Sequence, residues 1–406
     1  MVTRLRVSRI SIIAAVFAAA CGNTAGNVQA TRLGDIAHPA ERGSPVEDLR
    51  RACNDDRQEN VSAIRRQAYL QQVTTTGALI GWVTTKPVGA HVKLSAPDGA
   101  LVAMKGGVIE KFALRAPEEN QVWTTLDHLN THSIYCYQLG DARGEITART
   151  GFRTAPTADD PAPVRFLAFG DSGGGGADQR ALLKQMYTVP FDLMIHTGDL
   201  AYDNGTIGQY EDTVFGIYSD LFRNVPFFPA AGNHDNRTDD GLPFRRVFNL
   251  PSDEKWYSYD WGRVHFVALD TESSYRKQAE WLDRDLAQTK LPWKIVYLHK
   301  PPYSSGAHGS DLSLRRILEP VLERHHVQLV LAGHDHDYER MKPQHGITYV
   351  VTGGGGKGTR AVGSSRFTAF SEDVIHFVYG EVDDDRLVLH AIDAAGTEFD
   401  SVVINR

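Results

Sequence analysis

Beyond Val164 the chain alternates apolar runs with amphipathic ones, and this alternation limits the fold more than any other feature of its 406 residues. The runs VRFLAF, FDLMIH, VPFFPA, WKIVYL and VQLVLA are short and apolar, as strands buried on both faces are. Between them, ADQRALLKQMY, QYEDTVFGIYSDLF, KQAEWLDRDLAQ and DLSLRRILEPVLERH carry apolar residues at helical spacing. Strand and helix in turn predict an α/β core. YSYDWGRVHFVALD and FVYGEVDDDRLVLHAID read as hairpin-like pairs, which add antiparallel strands and make the sheets mixed.

The preceding stretch has a different period. From 61 to 155, AYLQQVTTT, ALIGWVTT, AHVKLSAP, SIYCYQLG and ITARTGFRT are short alternating runs separated by Gly, Pro, Asn and Asp. About seven strands in that space predict a small all-β sandwich. TLDHLNTHSIYCYQL resembles the corner of fibronectin type III modules, with Tyr135 or Tyr137 as the corner tyrosine. The proline-rich, acidic PTADDPAP at 156–163 is the expected linker to the second domain, 164–406.

At the amino end, residues 1–20 carry Arg4, Arg6 and Arg9, then an apolar run ending in alanines. The layout is that of an export signal, and the run is too short for the ~20 apolar residues of a bilayer span. FAAAC resembles a lipoprotein box with Cys21 as the lipidated residue, although Ala18 stands where leucine is usual. Ordinary cleavage after Ala20 or Ala30 is the alternative. The expectation is therefore an exported protein, periplasmic or at the cell surface, either anchored through Cys21 or soluble. Residues 21–60 read as a flexible tether. Of three cysteines, Cys53 and Cys136 then leave one possible disulfide, and no CxxC pair suggests a zinc–thiolate site. A formal charge of −7 with no basic patch argues against a nucleic-acid partner.

The polar residues fall where the strands of the second domain end. Asp171 follows FLAFG, Asp199 follows LMIHTG, Asn233 follows FPAAG, His299 follows KIVYL, and His334 with His336 follows LVLAG. Ligands of α/β folds gather at the carboxyl edge of the sheet. One Gly-Asp is ordinarily a turn, but five such endings in succession are more than turns require. Two carboxylates, an amide oxygen and three imidazoles, with Tyr202 three residues past Asp199, exceed the needs of one tetrahedral ion and suit two octahedral ones sharing a carboxylate. Two such cations would clamp a phosphoryl group and acidify a water. GDSGGGG and GGGGKGT lack the spacing of phosphate-binding loops and read as tight turns.

The order GDSG, GDLAYDN, GNHD, LHKPPY, GHDHDYER resembles the calcineurin-like metallophosphoesterase superfamily. The tyrosine of GDLAY, the YER and the preceding β-sandwich are similar to purple acid phosphatases in particular. The resemblance implies a four-layer fold, two mixed sheets flanked by helices. It implies Asp171, Tyr202 and His336 on Fe(III), Asn233, His299 and His334 on a divalent ion (Zn, Fe or Mn), and Asp199 as the bridge. It implies His234 as the group that binds phosphate and protonates the leaving alkoxide, with His308 of SSGAHGS as the match for a further substrate-binding histidine. Asp335 is either a solvated loop acid or an acceptor for a ligand imidazole. Glu339 and Arg340 read as an ion pair bracing the ligand loop, and Tyr303 as packing. The activity so implied is hydrolysis of phosphomonoesters by in-line attack of metal-bound hydroxide. A phosphodiesterase or nucleotidase of the same superfamily is the alternative, with a non-catalytic cell-surface binding protein as the third reading. The oligomeric state stays open.

Overall fold

The computed structural model describes residues 43–54, 62–252 and 255–406. The expected export signal, and the tether apart from 43–54, lie outside the described residues. Within 21–60, the segment Pro45–Cys53 is a helix rather than a tether. Proline opens it, and Asn54 closes it in the left-handed conformation with its N–H on the carbonyls of Arg50 and Arg51. Val46, Leu49 and Cys53 face inward, and Cys53 is disulfide-bonded to Cys136. The polar composition hid this helix because what holds it down lies outside it: the surfaces under Val46 and Leu49, the disulfide, and Asp220, which pairs with the buried Arg50.

Two sheets form the amino-terminal unit. One has the order Ile64–Gln71, Ala78–Thr84, Asn120–Leu126, Val108–Glu110. The other runs Leu101–Gly106, His91–Ser95, Ile134–Asp141, Gly144–Glu145, with Thr150–Arg153 also on Ile134–Asp141. Trp82, Val92, Val122, Tyr137 and Phe152 fill the space between them. Tyr135 Oη accepts the Asn130 N–H at 2.9 Å, whereas Tyr137 Oη donates to the Arg223 carbonyl of the second unit at 2.7 Å.

The second unit has four layers. A six-stranded sheet has the order Phe227–Pro229, Leu193–His196, Val164–Phe169, His376–Val382, Arg386–Asp393, Glu398–Asn405. A seven-stranded one runs Tyr257–Trp261, Val264–Ala268, Trp293–Tyr297, Leu329–Ala332, Thr348–Thr352, Tyr338–Met341, Thr368–Glu372. Both are mixed, with parallel strands where the ligand-bearing runs lie. Phe166, Ile195 and Phe228 meet Phe266, Ile295 and Leu331 across the inner faces. Helices Ala177–Met186 and Gly216–Phe222 cover one outer face, and Tyr275–Gln288 and Leu312–Arg324 the other. The last is capped by Asp311, whose carboxylate accepts the N–H groups of Ser313 and Leu314. Tyr338–Met341 and Glu398–Asn405 are strands that lie outside the runs read from the sequence.

The two units are docked rather than merely joined. The guanidinium of Arg66, 2% exposed, bonds Glu211 at 3.0 Å and Gln121 at 2.8 Å and lies over the Phe215 ring. Gln71 reaches the Phe227 carbonyl and Tyr69 the Val247 carbonyl. The 156–163 linker is itself pinned, by Asp160 on His132 at 2.6 Å and by Gly262 N–H on the Pro156 carbonyl. Among the described residues no helix is long and apolar enough to cross a membrane.

His265 provides a test of the packing within the second unit. Burial would lower its pKa, but Asp260 at 2.7 Å and Asp285 at 2.8 Å overcome that and carry it up to about 9. A folded-state value above the unfolded ~6.5 means the stabilisation is complete below pH 6.5 and lost as pH rises through about 9. The denaturant midpoint should fall between pH 6.5 and 9.5 by the equivalent of about 3 kcal/mol. His265→Gln should flatten that slope; an equally steep fall in the variant would remove His265 as its cause.

Candidate metal centre

The carboxyl edges of both sheets meet at one place, and every expected ligand lies there. Asp171 follows Val164–Phe169, Asp199 follows Leu193–His196, Asn233 follows Phe227–Pro229, His299 follows Trp293–Tyr297, and His334 and His336 follow Leu329–Ala332. Asp171, Asp199 and His334 all have left-handed backbones, φ 56°, 57° and 73°. A side chain in that region is disfavoured, so these positions are held by what surrounds them. Gly232 and Gly333 are part of the hold. A Cβ on Gly232 would stand 2.2 Å from Asp199 Oδ1, and one on Gly333 2.5 Å from Asp171 Oδ2. The runs end in glycine because the ligand carboxylates lie against the neighbouring backbone.

The donors form two groups. Tyr202 Oη is 2.9 Å from Asp171 Oδ1 and 3.1 Å from His336 Nε2, and those two are 3.4 Å apart. His299 Nε2 is 3.1 Å from Asn233 Oδ1 and 3.2 Å from His334 Nδ1. Asp199 lies between the groups: its Oδ2 is 3.4 Å from His299 Nε2, and its Oδ1 accepts the His234 N–H at 2.8 Å. Asp171, Asp199 and His299 place ligand atoms within 4.8 Å of one another, all buried. His299 Nδ1 faces the Thr197 carbonyl at 3.0 Å, which leaves Nε2 for the site.

The protonation balance of this cluster calls for a cation. Burial, then Asp171 and Asp199, push the Tyr202 phenol far above its ordinary value. Burial, His299 and His308 bring His334 down to about 2, while His299, despite burial, is carried by Asp199 and Asp171 up to about 10. Lone pairs of the carboxylates, the phenol and the His334 imidazole thus crowd together beside the His299 imidazolium. The oxygen and imidazole donors suit octahedral cations, and the phenol would ionise beside a highly charged one.

Two histidines flank the donors. His234 Nδ1 is 2.7 Å from the Asp203 carbonyl, its ring centroid 4.3 Å from that of Tyr202, and its Nε2 3.8 Å from Asp199 Oδ2. The His308 ring stacks on His334 at 4.1 Å, so the short 302–310 loop does bring it to the site. Asp335 settles differently from both readings of it. It is fully buried, and it accepts from the His308 N–H at 2.7 Å and from the Ser304 hydroxyl, bracing His308 rather than a ligand imidazole. Glu339 and Arg340 do not pair with each other. They alternate across the strand, so Glu339 takes the Ser305 N–H and Ser304 hydroxyl while Arg340 forks onto Asp400 at 2.6 and 2.9 Å. Tyr303 is packed, with Arg315 3.7 Å over its ring and its hydroxyl on Glu319.

Sequence reasoning passed over Asp235, quoted only as the end of GNHD. Fully buried, it accepts from the N–H groups of Gly232 at 2.9 Å and Leu200 at 3.1 Å and from Tyr210 Oη at 2.7 Å, tying the Asp199 loop to the Asn233 loop. His196 lies beneath, as a structural residue: Nε2 meets the Ser172 hydroxyl at 2.9 Å and Nδ1 accepts the Gly198 N–H. The glycine-rich loops are tight, as expected, and they seal the site from one side. Lys357 N–H bonds the Asp171 carbonyl and Gly355 N–H the Gly170 carbonyl.

Comparison with known proteins gives the class and then the relatives. The family described as calcineurin-like phosphoesterase matches residues 164–338, and that segment is a calcineurin-like phosphoesterase domain. The relatives of the chain are purple acid phosphatases. It is 26% identical over 320 residues to human acid phosphatase type 7, covering 70% of this chain and 72% of that one. It is 30% identical over 255 residues to purple acid phosphatase 21 of Arabidopsis thaliana, 56% of each. Two other Arabidopsis relatives are called probable inactive purple acid phosphatases. In fold, the purple acid phosphatase PPD1 of yellow lupin seeds superposes with a TM-score of 0.75 at 22% identity, over 84% of this chain and 74% of that one.

Gly232→Ala tests the packing of the centre. The added Cβ has no room beside Asp199, so the variant should fold with its disulfide intact yet retain less than one metal ion per chain by elemental analysis. Full metal content in a folded Gly232→Ala protein would show that Asp199 is not held there.

Proposed function

We propose that the protein is an exported, dinuclear metal-dependent hydrolase of phosphomonoesters, of the purple acid phosphatase type. The observation that carries this is the convergence of Asp171, Tyr202 and His336 on one side of Asp199 and of Asn233, His299 and His334 on the other. In this reading the first three hold Fe(III), the second three hold Zn, Fe or Mn as the divalent ion, and Asp199 is shared. When bound, the pair polarises the phosphoryl group and acidifies water.

The remaining chemistry belongs to side chains. With its Nδ1–H directed at the Asp203 carbonyl, His234 presents Nε2 to the site; protonated there, it donates to a phosphoryl oxygen and passes its proton to the departing alkoxide. His308, held by Asp335, presents its ring beside His334 and binds substrate from the opposite side. Asp199, its pKa lowered by His299 and His234 against the cost of burial, keeps its charge for the cations rather than taking part in proton transfer. The amino-terminal sheets are read as a fibronectin type III-like domain, with Tyr135 as the corner tyrosine through its bond to Asn130. Docked through Arg66 of one sheet and Tyr137 of the other, it is a fixed support for the hydrolase unit.

Three measurements test this reading. Metal-loaded protein should turn over p-nitrophenyl phosphate well above bis(p-nitrophenyl) phosphate; the reverse order would make it a diesterase, and turnover of neither would place it with the inactive relatives. Asp199→Ala should lose both metals and about 10³-fold or more in kcat/KM while its circular dichroism is kept, since both ions share that carboxylate. Retention of two metals with near-normal turnover would sink the dinuclear assignment. Iron-loaded protein should be pink to purple from phenolate-to-Fe(III) charge transfer, and Tyr202→Phe should bleach it. A band surviving in that variant would exclude the phenolate as a ligand.

A further inference from the structure

Of the eight large apolar side chains exposed among the described residues, six lie between positions 88 and 109: Val88, Leu101, Val102, Met104, Val108 and Ile109. Five of them belong to one stretch of chain. Leu101–Gly106 is the outermost strand of one sheet of the amino-terminal unit, and Val108–Glu110 is the outermost strand of the other. Only Gly107 separates the two strands, so the chain changes sheets there and runs along one open side of the sandwich. The other outer strands are covered. Ile64–Gln71 is docked on the second unit through Arg66, Tyr69 and Gln71, and Thr150–Arg153 lies under the helix Pro45–Cys53, where a Cβ on Gly151 would stand 2.3 Å from Cys53 Sγ.

The open side lacks the devices that ordinarily keep an exposed strand from pairing with another chain. Leu101–Glu110 contains no proline and one lysine, Lys105, which is matched to Asp127 at 2.6 Å. A bulge at Val102, between the pairs Leu94–Ala103 and Ser95–Leu101, leaves one more apolar side chain in water. Gly106 has no reason within the chain to be glycine. A Cβ there would meet nothing within 4 Å, and the residue is not in the left-handed conformation. Glycine inside a strand also marks a place where a second backbone comes close.

Two charges indicate what comes close. Asp98 stands ahead of the stretch and Lys111 follows it, both exposed, and among the described residues neither is in an ion pair. A second copy laid antiparallel about a two-fold axis can set Asp98 opposite Lys111 and Lys111 opposite Asp98. The same register sets Leu101 against Val108, Ala103 against Gly106 and Met104 against the stem of Lys105, and it opposes no two like charges. Sliding one copy by a residue in one direction would set Lys105 against Lys105. A lipid surface fits less well. Anionic headgroups need free cations beside an apolar patch, whereas Lys93 and Lys105 are matched to Glu145 and Asp127.

We infer that Leu101–Glu110 is a self-association surface, paired antiparallel with the same stretch of a second copy in the register that joins Asp98 to Lys111. The interface lies wholly on the amino-terminal sandwich and contains none of the residues of the candidate metal centre.

Sedimentation equilibrium from about 1 to about 100 µM tests this, with circular dichroism to verify that each variant is folded. The mean mass should rise from one chain toward two. Met104→Lys should weaken the dimer at least on the order of tenfold, by placing a charge in the apolar centre of the contact. Asp98→Lys should weaken it several-fold, and Asp98→Lys/Lys111→Asp should restore it; this exposed pair keeps the test open even if Met104→Lys misfolds. A single-chain mass at every concentration would overturn the surface, as would a dimer indifferent to both Met104→Lys and Asp98→Lys. Dissociation by Met104→Lys with no response to Asp98→Lys would overturn the register. Monomeric protein that instead co-sediments with phosphatidylglycerol vesicles, and ceases to in Met104→Lys, would give the edge to a lipid surface and refute the pairing.

Discussion

Much of this molecule depends on the placement of one carboxylate. Asp199 stands in a left-handed turn, against a glycine that leaves no room for a Cβ, with an oxygen fixed by the His234 N–H. That posture is unfavourable for an isolated aspartate and is retained because three chain segments close on it. Asp235 holds the Asp199 and Asn233 loops together from beneath, and the five strands deliver their loops to a common edge. The two donor groups can be neighbours without merging only while Asp199 keeps this place between them.

The scaffold supplies rigidity at that edge. Strands buried on both faces cannot slip without exposing apolar residues, so the loops at their ends begin from fixed points. Two helical layers outside and a continuous apolar seam inside hold the sheets, and the amino-terminal sandwich is bolted on through Arg66, Tyr69 and Tyr137. A buried guanidinium with both a carboxylate and an amide partner is costly to separate, since either half alone would leave a charge out of water.

The centre was legible because its signal is local. A polar residue placed just after an apolar run can be read without knowing which strands pair, and the seven candidate residues lie together. The hairpins and helices were legible for the same reason, from period alone. What escaped depends on pairing across the chain. Asp335 bracing His308, Arg340 on Asp400 and Arg66 on Glu211 join residues 27, 60 and 145 positions apart, and spacing in the sequence carries no trace of such pairs. The helix Pro45–Cys53 escaped because its stability comes from a disulfide and from a neighbour's surface, neither visible in a short polar segment.

The disulfide has a geometric corollary. It fastens the helix to the sandwich, and the helix begins beside Pro190, Asp192 and Pro163, which lead into the strands Leu193–His196 and Val164–Phe169, and beside Arg165 near the start of the latter. Gly43 is therefore at the starting edge of that sheet, while the ligands occupy its finishing edge, about 15–20 Å away along the strands. Anything attached ahead of residue 43 pulls on the back of the molecule.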